Sequence, residues 1–251
     1  MKLGLVIGLV LAALIIALVS PPIPQDQSYH VFADQREILG IDNFWNVVSN
    51  FAFLAVGIAG LFIVGRQTPP GGVPALHTGY LVFFAGIALI AVGSVFYHLE
   101  PANGSLVWDR LPMTLSFMAF LAVMIGENIS VNSGIRLLWP LIGAGALSVG
   151  YWHVSELQGS GDLRAYALVQ FLPLLLVPVI LVLFRSPFQR NIWVWLVLFA
   201  YGAAKVAELA DAAIFDYLGV GGHALKHLLA ALGALLFLAA LLLRIPRTER
   251  T

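Results

Sequence analysis

Eight apolar runs decide what this chain can fold into. They lie near residues 4–20, 44–65, 76–97, 111–126, 136–155, 165–184, 191–214 and 223–243, and a helix needs about 20 apolar residues to cross a bilayer. In hydrocarbon, every backbone N–H and C=O must find its partner inside the protein, which leaves only helices and closed barrels. The runs show none of the alternation of a barrel strand, so the sequence predicts an all-α, polytopic membrane helical bundle. Composition agrees: 10% of residues are charged, against roughly 25% in soluble domains. Turn residues collect in the connectors, as in Ser20-Pro21-Pro22, Thr68-Pro69-Pro70-Gly71-Gly72 and Gly159-Ser160-Gly161. Thirteen basic and thirteen acidic residues cancel, so the basic face that a nucleic-acid binder needs is missing. Without cysteine there are no disulfides, thiolate ligands or cysteine nucleophiles.

The expected organisation is an N-terminal transmembrane helix over 1–20, an outward loop over 21–43, a seven-helix core over 44–243 and a cytoplasmic tail over 244–251. The first segment reads either as a retained helix or as a secretory signal. "ALVSPP" is a poor cleavage site because of its prolines, which favours the helix. Alternating the crossings puts Lys2, Arg66, Arg136, Arg185, Arg190, Arg244, Arg247 and Arg250 on the side where the chain starts, with Arg36, Arg110, Arg164 and Lys226 opposite. The positive-inside rule then makes the starting side cytoplasmic, with both termini there.

Polar residues near the other face need an explanation, because burying one in a membrane costs roughly 2.5–3.5 kcal/mol. Ser94 and His98 are four residues apart, as are His223 and His227, so each pair shares a helical face. Asp109 stands at the mouth of the fourth helix. Crossing parity brings all five to one membrane depth, and three histidines with an open fourth position are the ligand set of a catalytic zinc. His30, His77 and His153 have no such partners and read as interfacial.

These residues resemble the alkaline ceramidases, within the superfamily of seven-helix membrane hydrolases that includes the adiponectin receptors and GPI-anchor lipid-remodelling enzymes. The matching motifs are Phe44-Trp45-Asn46-Val47-Val48-Ser49-Asn50, "GSVFYH" at 93–98, "WDRLPM" at 108–113 and "HALKH" at 223–227, in family order from about 34 to 243. The resemblance implies zinc on His98, His223 and His227, with Asp109 and Ser94 at the water that it activates. It implies cleavage of the N-acyl amide bond of a ceramide-like membrane lipid to a long-chain base and a fatty acid. It also implies a calcium site before the "FWN" helix, at Asp34, Glu37 and Asn43 here. Leu39 stands where the family has Asn, and Asn43 where it has Glu, which weakens calcium binding. Either calcium survives through Asp34, Glu37, Asp42 or Asn43, or a salt bridge from Arg36 replaces it.

The remaining polar residues have two readings each or a structural one. Asn46, Ser49 and Asn50 are expected to hydrogen-bond between helices. Lys205, Glu208 and Asp211 recur every three residues on the seventh apolar run, as a neutralised pair or as a cavity wall. Trp139, Trp152 and Trp193 fit an interfacial belt. Three other functions compete with the amidase. An ester-lipid hydrolase would need the same zinc. A receptor or sensor with a structural metal calls for a large output module, which the short 244–251 tail does not provide. A channel or transporter calls for repeats and broken helices, and the sequence shows neither.

Overall fold

A computed structural model of the protein describes residues 1–247; Glu249 and Arg250, used in the charge count, lie outside the described residues. Ten helices follow in order: α1 (Lys2–Val19), α2 (Phe44–Val48), α3 (Phe51–Arg66), α4 (His77–Leu99), α5 (Asn103–Asn128), α6 (Val131–Leu157), α7 (Arg164–Leu183), α8 (Ile192–Leu209), α9 (Asp211–Leu218) and α10 (Gly222–Leu243). Eight spans are long and apolar enough to cross a membrane, with α2 and α3 together forming one of them. The molecule is therefore an all-α membrane bundle. The described strands, Phe188–Gln189 and Ile245–Pro246, form one short antiparallel pair.

Helix α1 is the addition to the seven-helix core, and it buries only Val6. It packs along α7, and Arg164 at the start of α7 donates Nη1 to the carbonyls of Ala17, Leu18 and Ser20. Those carbonyls have no partner within α1, and a cation also suits the negative end of its dipole.

Three boundaries differ from the sequence reading, each for a local reason. The second expected helix is broken at Ser49-Asn50. Ser49 Oγ and Asn50 Nδ2 both donate to the Asn46 carbonyl, at 3.2 and 2.7 Å, and such side-chain bonds compete with the helical ladder. Asn50 thus bonds within its own segment, not to a neighbouring helix. The fourth expected helix begins at Asn103, because Trp108-Asp109-Arg110 are polar turns of α5 that hydropathy assigns to a loop. The seventh expected helix stops at Leu209, and Asp211 opens a separate helix. Asp211 accepts from His223 N at 2.8 Å and from Ala33 N at 2.9 Å, so it satisfies a free N–H at the start of α10.

The middle of the bundle is apolar and aromatic, with Phe83, Phe84, Phe120 and Phe237 in mutual contact. Helices α4 and α5 approach most closely where Gly93 faces the Trp108 carbonyl, leaving no room for a Cβ. Small residues at such crossings let membrane helices pack backbone to backbone. Here the close approach sets Ser94 beside Asp109. Trp152 is fully buried instead of belonging to an interfacial belt, whereas Trp139 is exposed.

Candidate metal centre

His98 lies in the last turn of α4, and His223 and His227 lie in the first turns of α10. Helix geometry places the α10 pair on one face, and the packing of α10 against α4 brings that face to His98. The three rings sit 5.0 Å apart, centroid to centroid, in every pairing. One nitrogen or other ligand atom from each lies within 4.8 Å of the others, and all three residues are buried. Among the described residues, no other group of three or more His, Asp or Glu converges in this way.

The donor set fits zinc. Tetrahedral Zn–N bonds of about 2.0–2.1 Å place neighbouring ligand nitrogens about 3.3 Å apart, and His98 Nε2 and His227 Nε2 are 3.3 Å apart. Ser49 Oγ is 2.8 Å from His227 Nδ1, the outer-shell contact that fixes the tautomer and orientation of a ligand ring. Asn43, in the left-handed region at φ 52°, donates Nδ2 to the His98 carbonyl at 3.0 Å. Asn46 donates to the Asp34 carbonyl at 3.2 Å, and Phe32, in the loop before α2, packs with its ring tilted against both His98 and His223, 4.7 Å from each ring centre. The loop before α2 thus covers the cluster with an apolar ring.

Ser49→Ala is expected to weaken metal binding about 10–100-fold, the usual effect of losing a side chain that orients a ligand ring. Chelator competition followed by metal analysis checks this. An unchanged affinity would remove Ser49 from the centre.

Ser94, Asp109 and His227 line one cavity of about 200 Å³. Its far walls are apolar, formed by Phe83, Ile87, Phe117, Phe120 and Leu174 among others. Lys205, Glu208 and Lys226 close the polar end. Both sequence readings of Lys205 and Glu208 hold together: they are ion-paired, and they form cavity wall. Lys226 Nζ is 3.2 Å from Glu208 Oε1 and 2.8 Å from His223 Nε2. Tyr29 donates its hydroxyl to Glu208 Oε1 at 3.3 Å. Burial and the Glu208 carboxylate push its phenol well above the usual range, so it remains a donor.

In the loop before α2, an ion pair forms at the residues where calcium is expected. Both Asp34 oxygens are taken by Arg36, with Nε at 2.8 Å and Nη2 at 2.6 Å, and this guanidinium holds the Asp34 carboxyl below its usual range. Asn43 is turned to His98, donating Nδ2 to its carbonyl. Of the two alternatives read from the sequence, the salt bridge is the one formed. The salt bridge supplies locally the positive charge that a cation would bring.

His30 is not a free interfacial residue. Its ring lies between Tyr97 Oη and Asn103 Oδ1, 2.9 Å from each, tying the loop before α2 to α4 and α5. His77 contacts Thr68 Oγ1 at 3.0 Å, and His153 Nδ1 is buried without a partner. The sequence reading missed Tyr29, Phe32, Lys226 and the capping role of Asp211. An aromatic in a loop and a lysine inside a His-x-x-x-His run carry no spacing signal of their own. Comparison with protein-family models and with curated proteins finds no match.

Proposed function

We propose that this protein is a zinc-dependent hydrolase of the membrane that cleaves the N-acyl amide bond of ceramide-like lipids, releasing a long-chain base and a fatty acid. The observation that carries this reading is a cluster of three buried histidines, of which His227 lines an apolar cavity together with Asp109 and Ser94. His98, His223 and His227 would hold the ion. When bound, zinc supplies hydroxide near neutral pH by lowering the pKa of water from 15.7 to about 7. Asp109, only 6% exposed, takes the proton that water gives up and returns it to the amine nitrogen. One C–O bond forms and the C–N bond breaks, so that proton leaves with the long-chain base and the reaction balances. Ser94 donates its hydroxyl to the carbonyl oxygen as negative charge gathers there. Phe83, Phe117, Phe120 and Leu174 hold the acyl chain and keep bulk water away.

Substrate enters sideways from the bilayer. The excess of basic residues on the N-terminal side puts both termini in the cytoplasm and the histidine cluster toward the outer or lumenal face.

Metal analysis of the purified protein, combined with a lipid-amide hydrolysis assay on wild type and Asp109→Asn, tests the reading. Both proteins should carry zinc, and the variant should lose about 10²–10⁴-fold in rate, the usual contribution of a positioned general acid–base. A wild-type protein that holds zinc yet cleaves no acyl amide sinks the proposal. Cleavage of ester lipids alone would move the same chemistry to another substrate.

A further inference from the structure

The polar end of the cavity carries more positive charge than amide hydrolysis requires. Its wall includes Arg110, Lys205 and Lys226 against Asp109 and Glu208, three cations for two carboxylates. Glu208 is divided between the lysines, Oε2 to Lys205 and Oε1 to Lys226. One carboxylate therefore serves two ammonium groups. Arg110 is 5% exposed, and its guanidinium carbon lies over the Trp152 and Tyr166 rings, at 4.1 and 4.6 Å from their centres. Its Nη2 donates to Gln25 at 2.7 Å, but its Nη1 is buried with no acceptor among the described residues. Tyr29 joins the two groups, with its hydroxyl on Glu208 and its ring 5.8 Å from the Arg110 guanidinium.

A buried donor without an acceptor and a cation without a counter-charge are both unfavourable. An incoming anion relieves both. The excess is a single charge, which matches a monoanion, and the apolar walls beyond it match an alkyl chain. We infer that the cavity binds an amphiphile whose polar end is a carboxylate, held by Lys205, Lys226 and Arg110. Under the hydrolase reading, on which its source depends, the carboxylate is either the head group of an N-acyl amino acid type of substrate or the fatty acid released by cleavage.

Displacement of a fluorescent long-chain carboxylate from the full chain in lipid nanodiscs tests this, with the metal present and after chelation. Two matched pairs compete for the site: N-palmitoylglycine against N-palmitoylethanolamine, and palmitate against hexadecanol. The carboxylate is expected to win by at least about ten-fold, as a hydrogen bond to a charged group allows. Lys205→Met should remove most of that ratio, while Lys205→Arg should keep it. A preference within the glycine pair assigns the carboxylate to the substrate head group, and one confined to the palmitate pair assigns it to the released acid. Equal competition in both pairs overturns the proposal. So does a full preference in a Lys205→Met protein with wild-type melting; if that variant does not fold, Lys226→Gln takes its place. Carboxylate preference without amide hydrolysis would discard the hydrolase and keep this site, and hydrolysis without preference would do the reverse.

Discussion

Replacing His223 with alanine should strip the metal from the centre and lower amide hydrolysis by about 10³-fold or more. A bound metal stabilises transition-state charge by several kcal/mol, and each 1.36 kcal/mol is a factor of ten in rate. The fold should survive, because the tie between α10 and Asp211 runs through the backbone N–H of residue 223, which alanine keeps. Lys226 still has Glu208 after losing its contact with the His223 ring. The loss should therefore appear as falling metal content at nearly unchanged melting temperature. His227→Ala should behave alike for the metal but also free Ser49, which now contacts that ring. A His223→Ala protein with full zinc and full activity would refute the centre.

The centre was more legible in the sequence than the surroundings that make it work. Four-residue spacing gave both histidine-bearing faces, and crossing parity put His98, Asp109, His223 and His227 at one depth; each of these inferences needs only helix geometry and a count of spans. Parity tolerates the errors made in boundaries, since breaking a span at Ser49-Asn50 or ending α8 at Leu209 adds no crossing. Contacts that depend on loops were not legible. Phe32, Tyr29 and His30 reach the site from the loop before α2 through tertiary packing. Asp211 was misplaced for a related reason. Its three-residue spacing from Glu208 suggested one helical face, but its carboxylate stabilises more by capping α10 than by continuing α8. In the loop before α2, resemblance supplied a calcium ligand set, while the Arg36 of the same loop pairs with the Asp34 carboxylate.

Glu127→Ala should destabilise the folded protein by about 3–5 kcal/mol, the cost of leaving one member of a buried ion pair without the other. Arg244 and Glu127 have fully buried side chains. The guanidinium makes a two-pronged contact with the carboxylate, at 2.8 Å on each side. Its Nη2 also donates to the Gly71 carbonyl at 2.7 Å, and Tyr80 donates to Glu127 at 2.7 Å. The cluster thus joins the end of α5, the end of α10 and the turn after α3. Removing the carboxylate leaves an arginine with no water and no counter-charge, so the cost greatly exceeds that of losing an exposed pair. Changing both partners, as in Glu127→Met with Arg244→Leu, should recover most of the stability, because a buried pair barely exceeds its own desolvation cost. Denaturation midpoints for the two single variants and the double variant, measured in mixed micelles, give the coupling directly. Eighteen residues of α5 separate Asp109 from Glu127, about 27 Å at 1.5 Å per residue. Zinc content per folded molecule should therefore stay constant while the midpoint falls. A Glu127→Ala protein that denatures with the wild type would show that the cluster does not hold these three elements together, and zinc loss in step with unfolding would show that the two ends of the bundle are coupled.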